Sequence, residues 1–350
     1  MTGSTTEPGG VVSAAAARGE LAMEASSLSR EFKLGRGQVV HAARDVSFNL
    51  YRGAVVALVG ESGSGKSTVA KMLAGQERMT SGAIRLDGEP VDLSTLRAFR
   101  RYKGSVQMVF QDPFASLNPV HTVRHHLERP IRLHQGRKSK AELRAAVNAL
   151  LEQVRLVPAE QFAEKYPHEL SGGQRQRVSF ARALAAQPSV LLADEPVSML
   201  DVSIRLEMLA LLDDLRSRLH LALLYITHDI ASARYFADEV LVMYAGEIVE
   251  RGPAEQVTQQ PAHPYTQLLV ASAPDPDNLG STLRSGLAAA RRTAGVAEQG
   301  CPFNPRCPFA DDQCRAEDPA PQPVSADRAA SCWHLDAAAA VVARARESEV

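Results

Sequence analysis

The chain has 350 residues, of which 45% are hydrophobic and 23% are charged, and its formal net charge at pH 7 is −1. This length allows one large domain with an accessory one, and the apolar content is sufficient for a packed core. The near-zero net charge argues against a polyanionic partner, so we expect no binding to nucleic acid.

The N-terminal residues 1–22 are predicted to be a disordered tail. They are rich in Gly, Ala, Ser and Thr, and they lack the charged start, apolar stretch and cleavage site of a secretory signal. The most apolar run of the chain, "LALLYI" at 221–226, is far shorter than a membrane span and is typical of a buried strand. We therefore expect a protein that is soluble by itself, with any membrane association being peripheral.

A phosphate-binding loop is predicted after the apolar run Val55–Val59, which is typical of a parallel strand buried on both faces. The motif G-x-x-x-x-G-K-[ST] follows this strand and precedes a predicted helix that ends near Gly75, which is the context the motif requires. Backbone N–H groups of such a loop surround phosphate oxygens, while Lys66 reaches the β- and γ-phosphates and Ser67 ligates Mg²⁺. The predicted nucleotide-binding residues of this segment are Gly60, Glu61, Ser62, Gly63, Ser64, Gly65, Lys66, Ser67 and Thr68.

A helical insertion is predicted at about 112–178. Its clearest part is "SKAELRAAVNALLEQVRL", where Ser139 and Glu142 form a capping-box pattern. The apolar residues at helical spacing are Leu143, Val147, Leu150, Leu151 and Val154. We interpret this stripe as core packing, and we assign the nearby histidines at 121, 125 and 126 to the insertion rather than to a metal site.

An acidic pair closes a second buried strand in "SVLLADEP". Burying carboxylates at a strand end is costly unless a metal ion or hydrogen bonds compensate. We therefore predict that Asp194 holds Mg²⁺ and that Glu195 polarises the attacking water. Lys66 is expected to share the catalytic role.

The order of motifs between about Ser27 and Arg251 resembles that of the ATP-binding cassette (ABC) ATPases. The motifs are the phosphate loop at 60–67, Gln111 after "VQMVF", the signature "LSGGQ" at 170–174, the acidic pair at 194–195, "SMLD" at 198–201 and His228 in "LLYITHD". The resemblance implies an α/β fold, namely a P-loop NTPase cassette at 23–255 with a RecA-like core, an antiparallel β subdomain and the helical insertion.

The resemblance also implies roles for residues outside the loop. Gln111 would contact Mg²⁺ and sense the attacking water, and His228 would contact the γ-phosphate and orient that water. The signature of one chain would clamp the ATP held by another, so that two cassettes form a head-to-tail dimer. The further nucleotide contacts implied are Phe32, which would stack on adenine, Gln111, Ser171, Gly172, Gly173, Gln174 and Asp201. Phe32 has an alternative interpretation as a strand residue packed inward.

Several longer strings narrow the resemblance to the ATPase subunits of dipeptide and oligopeptide importers, among them "QMVFQDPFASLNP", "MYAGEIVERG" and "HPYTQLLVASAP". The implied function is ATP hydrolysis coupled to uptake, at the cytoplasmic face of the cell membrane. The implied partners are a second ATPase subunit, two transmembrane permease subunits and, indirectly, an extracytoplasmic solute-binding protein. Nickel or another small solute is the alternative cargo.

Two other classes of function use similar motifs. A translation-factor or DNA-repair ABC ATPase fits less well because this chain has one uninterrupted cassette and no basic extension. A regulatory subunit that binds ATP without hydrolysing it is disfavoured by Glu195 and His228.

Residues 256–340 are predicted to be a C-terminal extension with a metal site, followed by a tail at 341–350, which we interpret as a frayed helix or disorder. The chain's four cysteines all lie here, at the spacing C-x5-C-x6-C-x17-C, namely Cys301, Cys307, Cys314 and Cys332. From the residues alone, an iron–sulfur cluster, a zinc site and free thiols stay open, whereas two disulfides are disfavoured in a cytosolic protein. The resemblance favours a [4Fe–4S] cluster with Zn²⁺ as the alternative, and His334 is an additional candidate ligand. We expect the bound group to stabilise a small domain.

Overall fold

The computed structural model describes residues 19–33, 39–112, 116–273 and 295–347. The predicted N-terminal tail lies outside these ranges except for residues 19–22, within which the first strand begins at Leu21. The strands of the described residues are β1 (Leu21–Lys33), β2 (Val39–Tyr51), β3 (Val55–Val59), β4 (Ser81–Leu86), β5 (Glu89–Pro90), β6 (Val106–Val109), β7 (Val190–Asp194), β8 (Ala222–Thr227), β9 (Glu239–Tyr244), β10 (Glu247–Pro253), β11 (Gln322–Ser325) and β12 (Arg328–Ala330).

The helices of the same residues are α1 (Lys66–Leu73), α2 (Leu96–Ser105), α3 (Val123–His134), α4 (Lys140–Gln153), α5 (Ala159–Glu164), α6 (Gly172–Leu184), α7 (Val202–Leu219), α8 (Ile230–Phe236), α9 (Ala254–Gln259), α10 (Pro264–Ser272), α11 (Asp312–Ala316) and α12 (Leu335–Glu347). Within the described part of the chain, no helix is both long enough and apolar enough to cross a bilayer.

The central sheet has the strand order β11-β12-β10-β9-β3-β8-β7-β6. Strands β9, β3, β8, β7 and β6 run parallel, and every residue of β3 and β7 is buried, as expected for parallel strands covered on both faces. A second, antiparallel sheet has the order β2-β1-β4-β5 and shares an apolar cluster with the central one, which includes Met23, Phe48 and Leu58. The predicted α/β cassette with an antiparallel β subdomain is confirmed.

The carboxyl ends of the parallel strands bring the predicted motifs to one edge of the sheet. The phosphate loop follows β3, Gln111 follows β6, Glu195 follows β7 and His228 follows β8. Because β6, β7, β8 and β3 are neighbours, segments more than 160 positions apart in the chain meet at this edge.

The helical insertion contains α3 to α6, and its predicted helix is confirmed as α4. The five apolar residues of its stripe are buried, with exposed fractions between 0% and 8%. The capping box is present, because the backbone N–H of Ser139 donates to the Glu142 carboxylate at 2.7 Å and the Ser139 hydroxyl accepts from the N–H of Glu142 at 3.2 Å.

The C-terminal extension is built onto the cassette. Its strand β12 pairs with β10 and with β11, which places both extension strands at the end of the central sheet. Cys301 and Phe303 belong to the main apolar cluster, and α12 extends into the predicted tail as far as Glu347, with Val342 buried. The sequence predicts a small C-terminal domain here, and its residues Cys301 and Phe303 share the core of the cassette. A segment of this size has too few apolar residues to build a core of its own.

A buried ion pair fixes β12 on the sheet. The Arg328 guanidinium lies 2.9 Å from the Glu250 carboxylate of β10, and the two residues are 4% and 1% exposed. The same carboxylate accepts the backbone N–H groups of Ala262 and His263 at 2.9 and 2.8 Å. Glu250 therefore joins the extension strand, the cassette and the segment that leads into α10.

Replacing Arg328 with methionine is expected to destabilise the fold strongly, because it leaves a fully buried carboxylate without its cation. The cost of breaking such a pair is about 3–5 kcal/mol. Arg218→Ala, which removes an exposed pair with Asp214 on α7, is the control and should cost about 0–1 kcal/mol. Urea denaturation of both variants checks this, and equal midpoints would contradict it.

Candidate active site

A cleft of about 1280 Å³ lies at the carboxyl edge of the central sheet. The predicted site residues that line it are Glu61, Ser62, Gly63, Gly65, Lys66, Ser67, Thr68, Gln111, Glu195 and His228. The remaining walls include residues 39–42 of β2 and residues 296–298 of the extension. The structure therefore brings together segments that the sequence places far apart.

The phosphate loop is packed against the backbones of two strands. A Cβ atom at Gly65, whose φ is +106°, would stand 2.0 Å from the carbonyl oxygen of Ala42. A Cβ at Gly60 would stand 2.2 Å from the carbonyl oxygen of Met243. Only glycine allows this close approach, and it turns the loop around the N-terminus of α1.

Lys66 is the first residue of α1, and its side chain lies inside the loop. The residue is 4% exposed, and its ammonium donates to the carbonyl oxygens of Gly60 and Glu61 at 2.7 and 2.8 Å. Burial lowers the pKa of Lys66, an effect opposed by the carboxylates of Glu195 and Asp194. A cation at a helix N-terminus, surrounded by backbone N–H groups, is a site for phosphate oxygens.

Asp194 ends β7 next to the start of α1. The Ser67 hydroxyl donates to its carboxylate at 3.1 Å, and the residue is 6% exposed. Burial raises the pKa of Asp194, and the Ser67 hydrogen bond opposes that rise. Hydroxyl and carboxylate oxygens are the ligands that Mg²⁺ prefers, so this pair fits the metal ion that accompanies a nucleoside triphosphate.

Glu195 is held between two side chains of the neighbouring strand ends. The Gln111 amide donates to its carboxylate at 3.1 Å, and His228 Nδ1 lies 3.3 Å from the same oxygen. The backbone of Glu195 has a left-handed φ of +46°, and its N–H donates to the carbonyl of Ile226 at 2.9 Å. Such strained positions cluster at functional sites. The arrangement aims a carboxylate into the cleft, where it can accept a proton from water.

The signature segment does not line the cleft of its own chain. Ser171 caps α6, accepting the N–H of Gln174 at 3.2 Å, and the Gln174 side chain accepts the N–H of Ser171 at 3.0 Å. Gly172 and Gly173 form the first turn of that helix. Asp201 caps α7 through the N–H of Ile204 at 3.0 Å and also lies outside the cleft.

Phe32 lies beside the cleft. The Arg30 guanidinium is 4.4 Å from the centre of its ring, and its cross-strand partner Val40 lines the cleft wall. Phe32 itself is not a lining residue, and residues 34–38, which follow it, are outside the described ranges.

Two residues that the sequence analysis missed contact the phosphate loop from the extension side. Arg306 forms two hydrogen bonds with the Glu61 carboxylate, at 2.8 and 2.9 Å, and the Tyr265 hydroxyl accepts the N–H of Glu61 at 2.8 Å. Tyr265 lies in the family string "HPYTQLLVASAP", and Arg306 lies between Cys301 and Cys307. The position of Arg306 between two closely spaced cysteines was the one feature of the sequence that could have indicated a functional role for it.

All four cysteines are free thiols, and Cys301, Cys314 and Cys332 are buried. The backbone N–H of His334 donates to the sulfur of Cys332 at 3.3 Å. Burial raises the pKa of the Cys301 and Cys307 thiols to about 12 and that of Cys332 to about 11. Thiolates at these positions would therefore need a cation to stabilise them.

The four sulfurs are spaced more widely than the ligands of a single zinc ion. No three of the four lie within 4.8 Å of one another, whereas ligands of one tetrahedral zinc ion are about 3.8 Å apart, given Zn–S bonds of about 2.3 Å. In the described residues, the compact group that could hold a single ion is Asp311, Cys314 and His334. His334 is also the additional candidate ligand expected from the sequence.

Comparison with known proteins places these features in a family. A model described as "ABC transporter" matches residues 43–198, and one described as "Oligopeptide/dipeptide transporter, C-terminal region" matches residues 249–314. A probable peptide ABC transporter ATP-binding protein of Sinorhizobium fredii is 40% identical, covering 91% of both chains. A di/tripeptide transport ATP-binding protein of Pseudomonas aeruginosa is 39% identical, covering 91% of this chain and 98% of that protein.

Solved structures agree with this fold. The ATP-binding cassette MJ0796, in a dimeric post-hydrolysis state with ADP and phosphate, superposes with a TM-score of 0.59 at 28% identity, covering 66% of this chain and 98% of that one. The chain therefore belongs to the ABC transporter ATPases, and within them to the proteins that carry the oligopeptide/dipeptide type of C-terminal region.

Proposed function

We propose that this chain is the ATP-hydrolysing subunit of an importer for dipeptides or oligopeptides. The observation that carries the proposal is the convergence of Lys66, the Ser67–Asp194 pair and Glu195 in one cleft, in a chain whose C-terminal region is of the peptide-transporter type. The names of the similar proteins support a peptide cargo. Nickel or another small solute is the alternative, because the cleft of this chain does not contact the cargo.

Binding of ATP begins at the loop. Its phosphates accept hydrogen bonds from the backbone N–H groups of residues 62–67 and draw the Lys66 ammonium away from the carbonyls of Gly60 and Glu61. Ser67, Asp194 and Gln111 would hold Mg²⁺, which neutralises charge on the β- and γ-phosphates. Phe32, next to the cleft wall, would stack on the adenine.

Hydrolysis follows from the position of Glu195. The carboxylate takes a proton from water while the water oxygen bonds to the γ-phosphorus and the bond to the bridging oxygen of ADP breaks. Gln111 and His228, which contact the carboxylate from two sides, orient the water and the γ-phosphate. The products are ADP and phosphate.

A second cassette would complete the site. The signature is a helix N-terminus with a serine cap, which is an anion site, yet it lies outside its own cleft. Large apolar side chains beside Asp201 are exposed, namely Met199 at 60%, Val202 at 71% and Leu206 at 63%. Such a patch favours a protein interface, and we propose that it is covered when two chains pair head to tail.

Permease subunits would dock on the helical insertion, at the cytoplasmic face of the cell membrane. A groove of about 490 Å³ lies there between β6 and α3, close to the segment that carries Gln111. Its basic and histidine side chains are Lys103, His121, His125, His126, Arg129 and Arg182. A substrate-binding protein outside the cell would act through those permeases.

The four cysteines would hold a [4Fe–4S] cluster. Four free thiols are a suitable ligand set for such a cluster, and sulfurs ligating four separate irons stand farther apart than those around one zinc ion. The cluster would have a structural role, because it would link Cys301 and Cys307 to Cys332, which follows β12 in the chain. Zinc bound at Asp311, Cys314 and His334 is the alternative.

Glu195→Gln is expected to lower the turnover of ATP by about 100-fold or more, because the amide cannot accept the proton of water. Binding of a fluorescent ATP analogue should be retained, since the loop is untouched. The control is Glu160→Gln, an exposed residue on α5 paired with Arg144. Turnover that survives in the Glu195 variant would overturn the catalytic assignment.

Ser171→Ala is expected to reduce turnover in the assembled transporter without weakening ATP binding by the same chain. Its matched control is Ser139→Ala, because both serines cap a helix through a capping box and each loss costs about 1 kcal/mol. Steady-state hydrolysis and nucleotide affinity are measured for both. If the two variants hydrolyse ATP equally, the signature does not act on the nucleotide.

Anaerobically purified protein is expected to be brown and to contain about four iron atoms per chain, with each Cys→Ser variant losing iron. Absorption spectra with iron and zinc analysis check this. A colourless protein with stoichiometric zinc would contradict the cluster, and loss of zinc in His334→Ala would then identify the alternative group.

A further inference from the structure

The phosphate loop is anchored to the cysteine segment. Arg306, which directly precedes Cys307, reaches across 245 positions of sequence to form a two-pronged ion pair with Glu61. Its side chain is 11% exposed, and its guanidinium lies 5.7 and 5.5 Å from the ring centres of Tyr244 and Phe303. A planar guanidinium packed between rings loses little freedom when it binds a carboxylate.

Glu61 is also the residue that shapes the surroundings of Lys66. Its carbonyl accepts the Lys66 ammonium at 2.8 Å, and its N–H is taken by Tyr265 at 2.8 Å. The carboxylate, carbonyl and N–H of one loop residue are thus all held, two of them by side chains of the C-terminal region. Displacing Glu61 would therefore displace the carbonyl beside the catalytic lysine.

The ion pair has an electrostatic consequence. Glu61 lines the cleft that receives the phosphates, where an unpaired carboxylate would repel them. Arg306 neutralises that charge from outside the loop. Removing the guanidinium would both loosen the loop and expose a negative charge to the nucleotide.

We propose that Arg306 is a positioning residue for ATP binding, which fixes the phosphate loop through Glu61. This inference rests on the proposed nucleotide site. It adds to the ATPase a residue that is supplied by the cysteine segment.

The test measures the affinity of the full-length protein for a fluorescent ATP analogue, together with the KM and kcat of hydrolysis. Arg306→Ala is expected to weaken binding about 10-fold, the effect of losing a charge-assisted pair, and to raise KM while kcat is kept. Arg315→Ala is the matched control, because that arginine pairs with Asp312 in the same segment without contacting the loop. Its affinity should equal that of the wild type.

Recovery of affinity by a second substitution distinguishes a positioning role of Arg306 from a general folding defect. Adding Glu61→Gln to Arg306→Ala removes the unpaired carboxylate, so the double variant should recover part of the lost affinity, and a purely structural defect would not respond. If Arg306→Ala does not fold, nucleotide affinity is measured in Arg306→Lys instead. Lysine keeps the charge and the aliphatic packing but not the two-pronged contact. Weakened binding at an unchanged melting temperature supports the proposal.

The proposal fails if Arg306→Ala binds like Arg315→Ala, or if Glu61→Gln gives no recovery. Lys66→Ala tests the underlying site separately, because it should abolish binding whatever the role of Arg306. If Lys66→Ala binds ATP normally, the proposed nucleotide site is wrong. If it loses binding while Arg306→Ala does not, only the further inference is wrong.

Discussion

The architecture of the site depends on one buried cation, the ammonium of Lys66. A charge in such a position must be compensated, and here two carbonyl oxygens of the loop and the nearby carboxylates of Asp194 and Glu195 do so. The carbonyls can reach the ammonium only because Gly60 and Gly65 let the loop lie directly on the backbones of β9 and β2. Strands of both sheets are therefore needed to form the cleft.

The C-terminal region takes part in the same arrangement. Glu250 and Arg328 hold its last strand on the sheet, Tyr265 and Arg306 hold Glu61, and Phe303 packs into the core of the cassette. Its cysteines first suggest an attached metal domain. The contacts show that this region also lines and supports the nucleotide cleft.

Much of the fold was predictable because its signals are local. The buried strands before the loop and before Asp194, the glycine pattern and the capping box of Ser139 each occupy only a few consecutive residues. The family resemblance predicted that Gln111, Glu195 and His228 act at one site. The order of the parallel strands explains physically why they lie close together.

Other features had no local signal. The contact between Arg306 and Glu61 joins distant segments, and the three residues of β12 are too few to show a strand periodicity. The Ala-rich sequence of helix α12 has little apolar pattern, so it predicts no more than a frayed helix or disorder. Its order comes from tertiary contacts, including burial of Val342 and the bond from Gln267 to the carbonyl of Ala338 at 2.8 Å.

The central claim, that the C-terminal region holds the phosphate loop in place, is tested most directly by amide hydrogen exchange of the loop. The peptide covering residues 59–67 would be followed in the wild type, in Arg306→Ala and in Arg315→Ala. The account predicts exchange about fivefold faster or more in the Arg306 variant alone. Equal protection in all three proteins would contradict it.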